Sequence, residues 1–182
     1  MNKVTQKSIL DFWFKELTPQ QWWAKDPKLD TDIKRQFQKI HEDAKNCKLS
    51  HWRESPKGSL AEIIILDQFS RNIFRDTPQS FSCDPLALGL AQVAIEKGFD
   101  KQLSLQERAF LYLPYMHSES LQIHNEAISL FSAKGLESNL EFEMKHHTII
   151  EKFGRYPHRN KILGRESTLE EEEFLKGPNS SF

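Results

Sequence analysis

Apolar residues recur at helical spacing along almost the whole chain. Ile9, Phe12, Trp13 and Leu17 form one stripe, and Ile33, Phe37, Ile40 and Ala44 form another. Valine occurs only at Val4 and Val93, while Leu, Glu, Lys, Gln and Ala fill the periodic stretches, so local propensity also favours helix over strand. Thr5 caps a first helix through residue 17. Thr18-Pro19 then starts a short second helix that ends at Trp22-Trp23, before Asp26-Pro27. A third helix spans residues 30–46. After the turn 54–59 a fourth covers 60–74, and its first half is apolar nearly all round, which predicts a central rather than a surface helix. Asp84-Pro85 opens a fifth helix closing at Gly98. Ser104 and Glu107 form a capping-box pattern for a sixth, which Pro114 interrupts or ends near Tyr112. A seventh follows His117 or Ser118 and closes at Gly135, and an eighth covers 137–153 with Gly154 just past its end. Thr168 and Glu171 cap a last short helix ending near Gly177. The pattern predicts an all-α chain, a single domain over residues 1–182, with about eight or nine antiparallel helices and no dividing linker.

Composition narrows the class. Hydrophobic residues make up 38% and charged residues 28%, and mean hydropathy is −0.62, which fits a globular chain rather than a membrane or disordered one. The nearest thing to an apolar run, 60–66, is interrupted by Glu62, so no segment could span a bilayer. With a formal net charge of −1, no global field recruits nucleic acid or anionic lipid. Cys47 and Cys83 stand far apart in no metal-binding spacing, and no signal-peptide pattern opens the chain, so a reducing cytoplasm is the expected compartment.

Four stretches carry more polar chemistry than a helical core requires. Asp67, Arg71 and Arg75 recur at i, i+4, i+8 on one face of the fourth helix, with Gln68 and Asn72 beside them. Because that helix reads as buried, Arg71 needs a carboxylate or a ligand anion. Asp67 is the nearest candidate, and Arg75 has no carboxylate four residues before it. The second stretch is 112–119, where Ser118 can cap a helix and His117 can pair with Glu119 as a base with its orienting carboxylate, or as two metal ligands. In the third, Glu143, His147 and Glu151 lie at i, i+4 spacing as a surface ion-pair ladder, while His146 faces the apolar side with Ile149 and Ile150. The fourth, 152–165, has five Lys or Arg residues and His158 with no acid. Gly154, Pro157 and Gly164 make it an irregular loop suited to an anion; the acids Glu166 and Glu170 through Glu173 that follow offer an internal charge match instead. A glycine-rich phosphate loop, a nucleophile elbow and a dinucleotide fingerprint are all missing.

At these same residues the chain resembles a bacterial family, domain of unknown function 924. The likeness runs through Asp11-Phe12-Trp13-Phe14, Trp22-Trp23, residues 66–75, 113–119 and 153–165, Ser167-Thr168 and the closing Ser180-Ser181-Phe182. The resemblance implies an all-helical, tetratricopeptide-like right-handed superhelix and a natural chain end. It also implies shared roles for Asp67, Arg71, Asn72, Arg75, His117, Glu119, His146, Arg155, His158, Arg159, Asn160 and Arg165. His124 stands where the family pattern has glutamine and His147 where it has arginine, which sets both apart from any shared chemistry; Ser120 stands where it has aspartate, which counts against a two-carboxylate mechanism there. It supplies no reaction.

The expected function is binding of a small anionic ligand, a carboxylate or phosphate, in one net-basic pocket. Its walls would be Asp67, Arg71, Asn72 and Arg75, then His146, and the loop residues Arg155, Arg159, Asn160 and Arg165. If the pocket is catalytic, His117 oriented by Glu119 is the base and His158 or Arg159 stabilises an anion. The alternatives are a tetratricopeptide-like adaptor holding a peptide or protein terminus in a concave groove, a metal site of His117, Glu119 and His146, and a purely structural use of every charge. Cofactor and oligomeric state stay open.

Overall fold

Side chains with nowhere else to put their apolar surface dictate the first half of the molecule. The structure, a computed structural model, describes residues 4–178 and Ser180; Ser181 and Phe182 of the closing motif lie outside the described residues. Every regular element among them is helical. The chain divides into two compact units, Met1–Arg75 with Gln79–Pro114, and Asp76–Pro78 with Tyr115–Phe182. No helix among the described residues is long and apolar enough to cross a membrane.

In the first unit, α1 (Gln6–Asp11) passes into a π-helical turn (Phe12–Glu16), and α2 (Pro19–Trp23) follows. Thr5 and Thr18 close capping boxes at the two starts, so both N-terminal signals operate as read. The third helix, α3 (Pro27–Lys45), begins three residues earlier than its apolar stripe suggested. The Asp26 carboxylate accepts the Lys28 and Leu29 N–H groups, and Pro27, needing no hydrogen bond at the first position, starts the helix there. A 3₁₀ turn (Ser50–Glu54) leads into α4 (Pro56–Ile64), a second π-helical turn (Ile65–Phe69) and α5 (Ser70–Ile73).

Residues 58–70 are all buried, so the apolar-all-round stretch is the central helix of its unit. The two π-helical turns meet across the core, with the Phe69 ring 5.7 Å from that of Trp13 and 6.1 Å from that of Phe12. The Trp22 indole donates to the Trp13 carbonyl at 2.8 Å, satisfying an acceptor inside the first π turn. A wide turn of this kind leaves no mark in a 3.6-residue apolar period.

Glu62, which breaks the apolar run, is fully buried and held by Arg53 Nε and Nη2, each at 2.7 Å. Buried His41 lies 2.7 Å from the Ser70 hydroxyl, which itself donates to the Leu66 carbonyl; His41 Nε2 is therefore the donor. Burial lowers its pKa to about 4, so the ring is neutral at pH 7.

The unit continues through α6 (Asp84–Glu96) into α7 (Leu105–Met116), within which the chain crosses to the second unit. Pro114 does not end α7, contrary to its sequence reading; the helix continues to Met116. A proline inside a helix costs about 3 kcal/mol. Here Leu111, Leu113 and Tyr115 are all at least 96% buried, and burying such side chains contributes roughly 1.5–3 kcal/mol each, enough to override it.

The second unit pairs α8 (Leu121–Phe131) with α9 (Glu137–Phe153). Ser120, not Ser118, occupies the cap position of α8, and the Ser118 hydroxyl instead accepts the Ser120 N–H at 3.1 Å. Gly154 ends α9 with φ of 67°, a left-handed residue whose N–H returns to the Ile150 carbonyl. A 3₁₀ turn (Pro157–Arg159), α10 (Asn160–Leu163) and α11 (Leu169–Leu175) complete the unit, with Thr168 and Glu171 in the capping box. Its apolar centre is Ile149, Ile150 and Tyr156, with Phe153 and Phe174 packed against it.

Gly58, in the first turn of α4, offers a direct check on this packing. A Cβ there would run into the Trp52 backbone carbonyl as well as the Gln6 side chain. Gly58→Ala is expected to destabilise the protein by about 1–3 kcal/mol, despite alanine's better helix propensity. Chemical denaturation measures this directly; a neutral or stabilising effect would mean that the 3₁₀ turn does not press on α4 as described.

Candidate functional site

The arginines of α5 and the segment after it are committed to carboxylates of their own unit. Arg71 lies 3.3 Å from the Asp67 carboxylate, but its bidentate partner is Asp84, at 2.9 and 3.0 Å. The i, i+4 neighbour is thus the lesser contact. Asp67, 1% exposed, also takes a hydrogen bond from Gln68 at 2.5 Å. Arg75, without a local acid, reaches Asp30 on α3 with both Nε and Nη2, and Asn72 donates to the same carboxylate at 2.8 Å. The fork of a guanidinium matches a carboxylate edge-on, which makes these the strong form of ion pair.

The basic loop is built the same way. Arg155 grips Glu171 at 2.6 and 2.8 Å and donates to the Glu166 carbonyl. Asn160 bridges Ser167 and Glu171. Arg165 grips Glu119 at 2.8 and 2.9 Å and spends further donors on Asn160 Oδ1 and the Tyr156 carbonyl. Glu119 also accepts the Tyr156 N–H at 2.8 Å. Lys152 meets Glu170 at 2.9 Å. The acids downstream do match this loop, with Glu119 added from the turn after α7.

Electrostatics follow the contacts. Burial pushes the Glu119 carboxyl up, yet Arg165, the Tyr156 N–H and the charge of Arg159 together hold it below the usual carboxylate value. Glu171 falls to about 2, first through Arg155. Both Glu119 oxygens are therefore occupied as the anchor of the loop.

What the loop surrounds is Tyr156, 1% exposed. The Arg159 guanidinium sits 4.6 Å from its ring centroid and donates to the His117 carbonyl at 3.0 Å. His146 meets the ring edge-on at 5.8 Å, and His158 lies 5.4 Å away. His146 is buried, its Nδ1 is 2.7 Å from the Phe142 carbonyl, and its pKa is lowered to about 3. Burial is the main cause; His117, His124 and His158 add to it by opposing its protonation. The rings of His124, His146 and His158 and the Arg159 guanidinium thus share a single aromatic centre.

The surface ladder expected on α9 does not form. Glu143 is wholly buried and turned to His124 at 2.6 Å, while His147 bonds Asn125 at 3.1 Å. Among the described residues no three His, Cys, Asp or Glu side chains are grouped to hold a metal ion, so His117, Glu119 and His146 do not converge as a ligand set. A groove of about 560 Å³ does exist in the first unit, walled by Lys34, Arg35, Lys39 and Lys48, by Glu42 and Asp43, and by His41 and Phe74. It contains none of the sequence-nominated residues, and its basic side chains are solvated ones of α3 and the turn after it, mixed with acids. The chemistry is concentrated around Tyr156 instead.

Sequence reading missed Asp30, Asp84, Glu62, His41 and Tyr156. Signals existed for two: His41 stands four residues from Phe37 on an apolar stripe, and Tyr156 lies between Gly154 and Pro157, where the backbone is fixed. The three acids offer none, since their partners lie 9 to 45 residues away.

Glu171 makes the latch measurable. Its folded pKa, about 2, lies below the unfolded value near 4.5, so its stabilisation is present above pH 4.5 and disappears as pH falls toward 2. Glu171→Gln should therefore cost most at pH 6 and progressively less at pH 4 and 3, as read by denaturant unfolding of both proteins. A cost independent of pH would assign Glu171 a packing role instead.

The chain can now be set beside known proteins. No curated protein matches it. A solved structure, that of the protein of unknown function ATU0120 from Agrobacterium tumefaciens, superposes with a TM-score of 0.90 at 39% identity, over 94% of this chain and 97% of that one. A family model described as bacterial protein of unknown function, DUF924, matches residues 9–179. On that match the chain belongs to the DUF924 family.

Proposed function

We propose that the second unit binds a small anion, a carboxylate or a phosphate, at the cluster around Tyr156. Arg159 supplies the charge, and His117 and His158, both only partly buried, supply hydrogen bonds from the accessible side. Buried His146, neutral at pH 7, shapes the floor beside the ring. One observation carries the reading: a buried guanidinium and the rings of His124, His146 and His158 collect on one tyrosine, and His117, His124 and His158 each raise the cost of protonating His146. An anion seated there relieves that cost.

Arg71, Asn72, Arg75, Arg155, Asn160 and Arg165 are left out of the binding set and read as clamps, because Asp84, Asp30, Glu171 and Glu119 hold them. Acid–base catalysis by a His117–Glu119 pair is left out for the same reason. The proposed role is recognition.

Thermal unfolding with inorganic phosphate or succinate tests this. Binding at one hundred times Kd corresponds to about 2.7 kcal/mol of added stability. Wild type and Arg75→Lys should both show the anion-dependent rise in melting temperature, whereas Arg159→Ala should not. Should Arg159→Ala respond like wild type, or wild type respond to neither anion, the site is not here.

A further inference from the structure

His124 on α8 and Glu143 on α9 are both wholly buried, and His124 Nδ1 lies 2.6 Å from Glu143 Oε1. The other ring nitrogen, Nε2, lies 2.8 Å from the Ser118 carbonyl, which can only accept. Nε2 therefore carries a proton. The Tyr156 hydroxyl, 3.2 Å from the same nitrogen, gives its own proton to the Met116 carbonyl at 2.5 Å and so turns lone pairs toward His124. With Nε2–H settled, the short Nδ1···Oε1 contact requires one proton. With none, a ring lone pair faces a carboxylate oxygen; with two, N–H faces O–H. No solvent reaches the pair to relieve either state.

We infer that His124 and Glu143 hold a single shared proton between Nδ1 and Oε1, and that this proton locks the turn joining α7 to α8. The lock acts through two carbonyls: His124 holds that of Ser118, and Tyr156, braced against His124, holds that of Met116. Between those carbonyls stands His117, and Glu119 follows. The inference concerns the turn itself and does not depend on an anion binding there.

Several groups face the pair. From α9 come His147, with its ring 6.3 Å from that of His124, and His146; from the turn after α9 comes Tyr156. Glu143 Oε2 is buried with no hydrogen-bond partner among the described residues. Burial raises the Glu143 carboxyl, while hydrogen bonding from His124 and charge on His124 and His147 oppose the rise. An unsolvated Oε2 is better tolerated as the carbonyl of a carboxylic acid than as half of a carboxylate, which places the shared proton mainly on Glu143, with a neutral imidazole accepting it.

The consequence is a specific proton linkage. In the unfolded chain above about pH 6.5 neither group holds this proton, so folding takes one up, and the pair's contribution to the folding constant falls tenfold per pH unit as pH rises. Between about pH 4.3 and 6.5 an unfolded histidine already carries one, and the contribution is flat. Below that range the unfolded chain binds a second proton that the folded pair has no place for, and the lock fails.

Histidine side-chain ¹⁵N NMR on the full chain tests the proton count without any variant. The expected spectrum has His124 protonated at Nε2, with its signals unmoved from pH 5 to 8. A bare Nε2, or His124 signals that titrate through this range, would overturn the inference. As a second readout, the folding constant of wild type should fall tenfold more per pH unit between pH 7 and 8.5 than that of the double variant His124→Gln, Glu143→Gln; parallel slopes would contradict a shared proton. If the double variant does not fold, the NMR result decides alone.

Discussion

Bidentate pairing between arginine and carboxylate is the interaction on which both units depend. Arg53 with Glu62, Arg71 with Asp84, Arg75 with Asp30, Arg155 with Glu171 and Arg165 with Glu119 each use the flat guanidinium fork against a carboxylate edge. The paired residues lie 9 to 46 positions apart in sequence. In four of the five the acid is the more buried member, and Glu62 is wholly so; only Glu119 is slightly more exposed than its arginine. Removing one member of such a pair leaves an uncompensated charge, which costs about 3–5 kcal/mol in a buried setting. A chain with 28% charged residues can therefore keep charges inside helical units, provided the partners are positioned by folding itself.

That constraint divides labour within the second unit. Arg155, Asn160 and Arg165 fasten the loop after α9 to Glu171 and Glu119, and in doing so present Tyr156 and Arg159 at a fixed place. Tyr156 then organises the histidines: its face takes Arg159, its edge meets His146, and its hydroxyl sits between Met116 and His124. A net-basic motif in sequence is thus mostly a motif of internal clamps.

Much of the fold could be read directly from residues. The all-helical class followed from 3.6-residue stripes, and caps at Thr5, Thr18 and Thr168 and the stop at Gly154 acted where the side chains demanded. The central helix was legible because apolar residues surrounded it. Harder to foresee were places where tertiary packing overrode a local rule: Pro114 inside α7, and the two π-helical turns. Site residues were legible by type but not by partner. Arg71 and Arg75 stood out, yet Asp84 and Asp30 did not, since neither acid lies within a helical turn of its arginine. Glu143 and His147 matched a surface ladder in spacing alone; α8 packed against α9 supplied His124 and Asn125 instead.

The most direct test of charge spent on internal clamps is a double-mutant cycle on Glu119 and Arg165, read by denaturant unfolding. Glu119→Gln, Arg165→Gln and the double variant are compared with wild type, since the two side chains meet through both nitrogens and both oxygens. The predicted coupling is about 1–3 kcal/mol, with the double variant less destabilised than the sum of the singles. Additivity within about 0.5 kcal/mol would contradict it, and would leave the basic loop held by something other than its arginines.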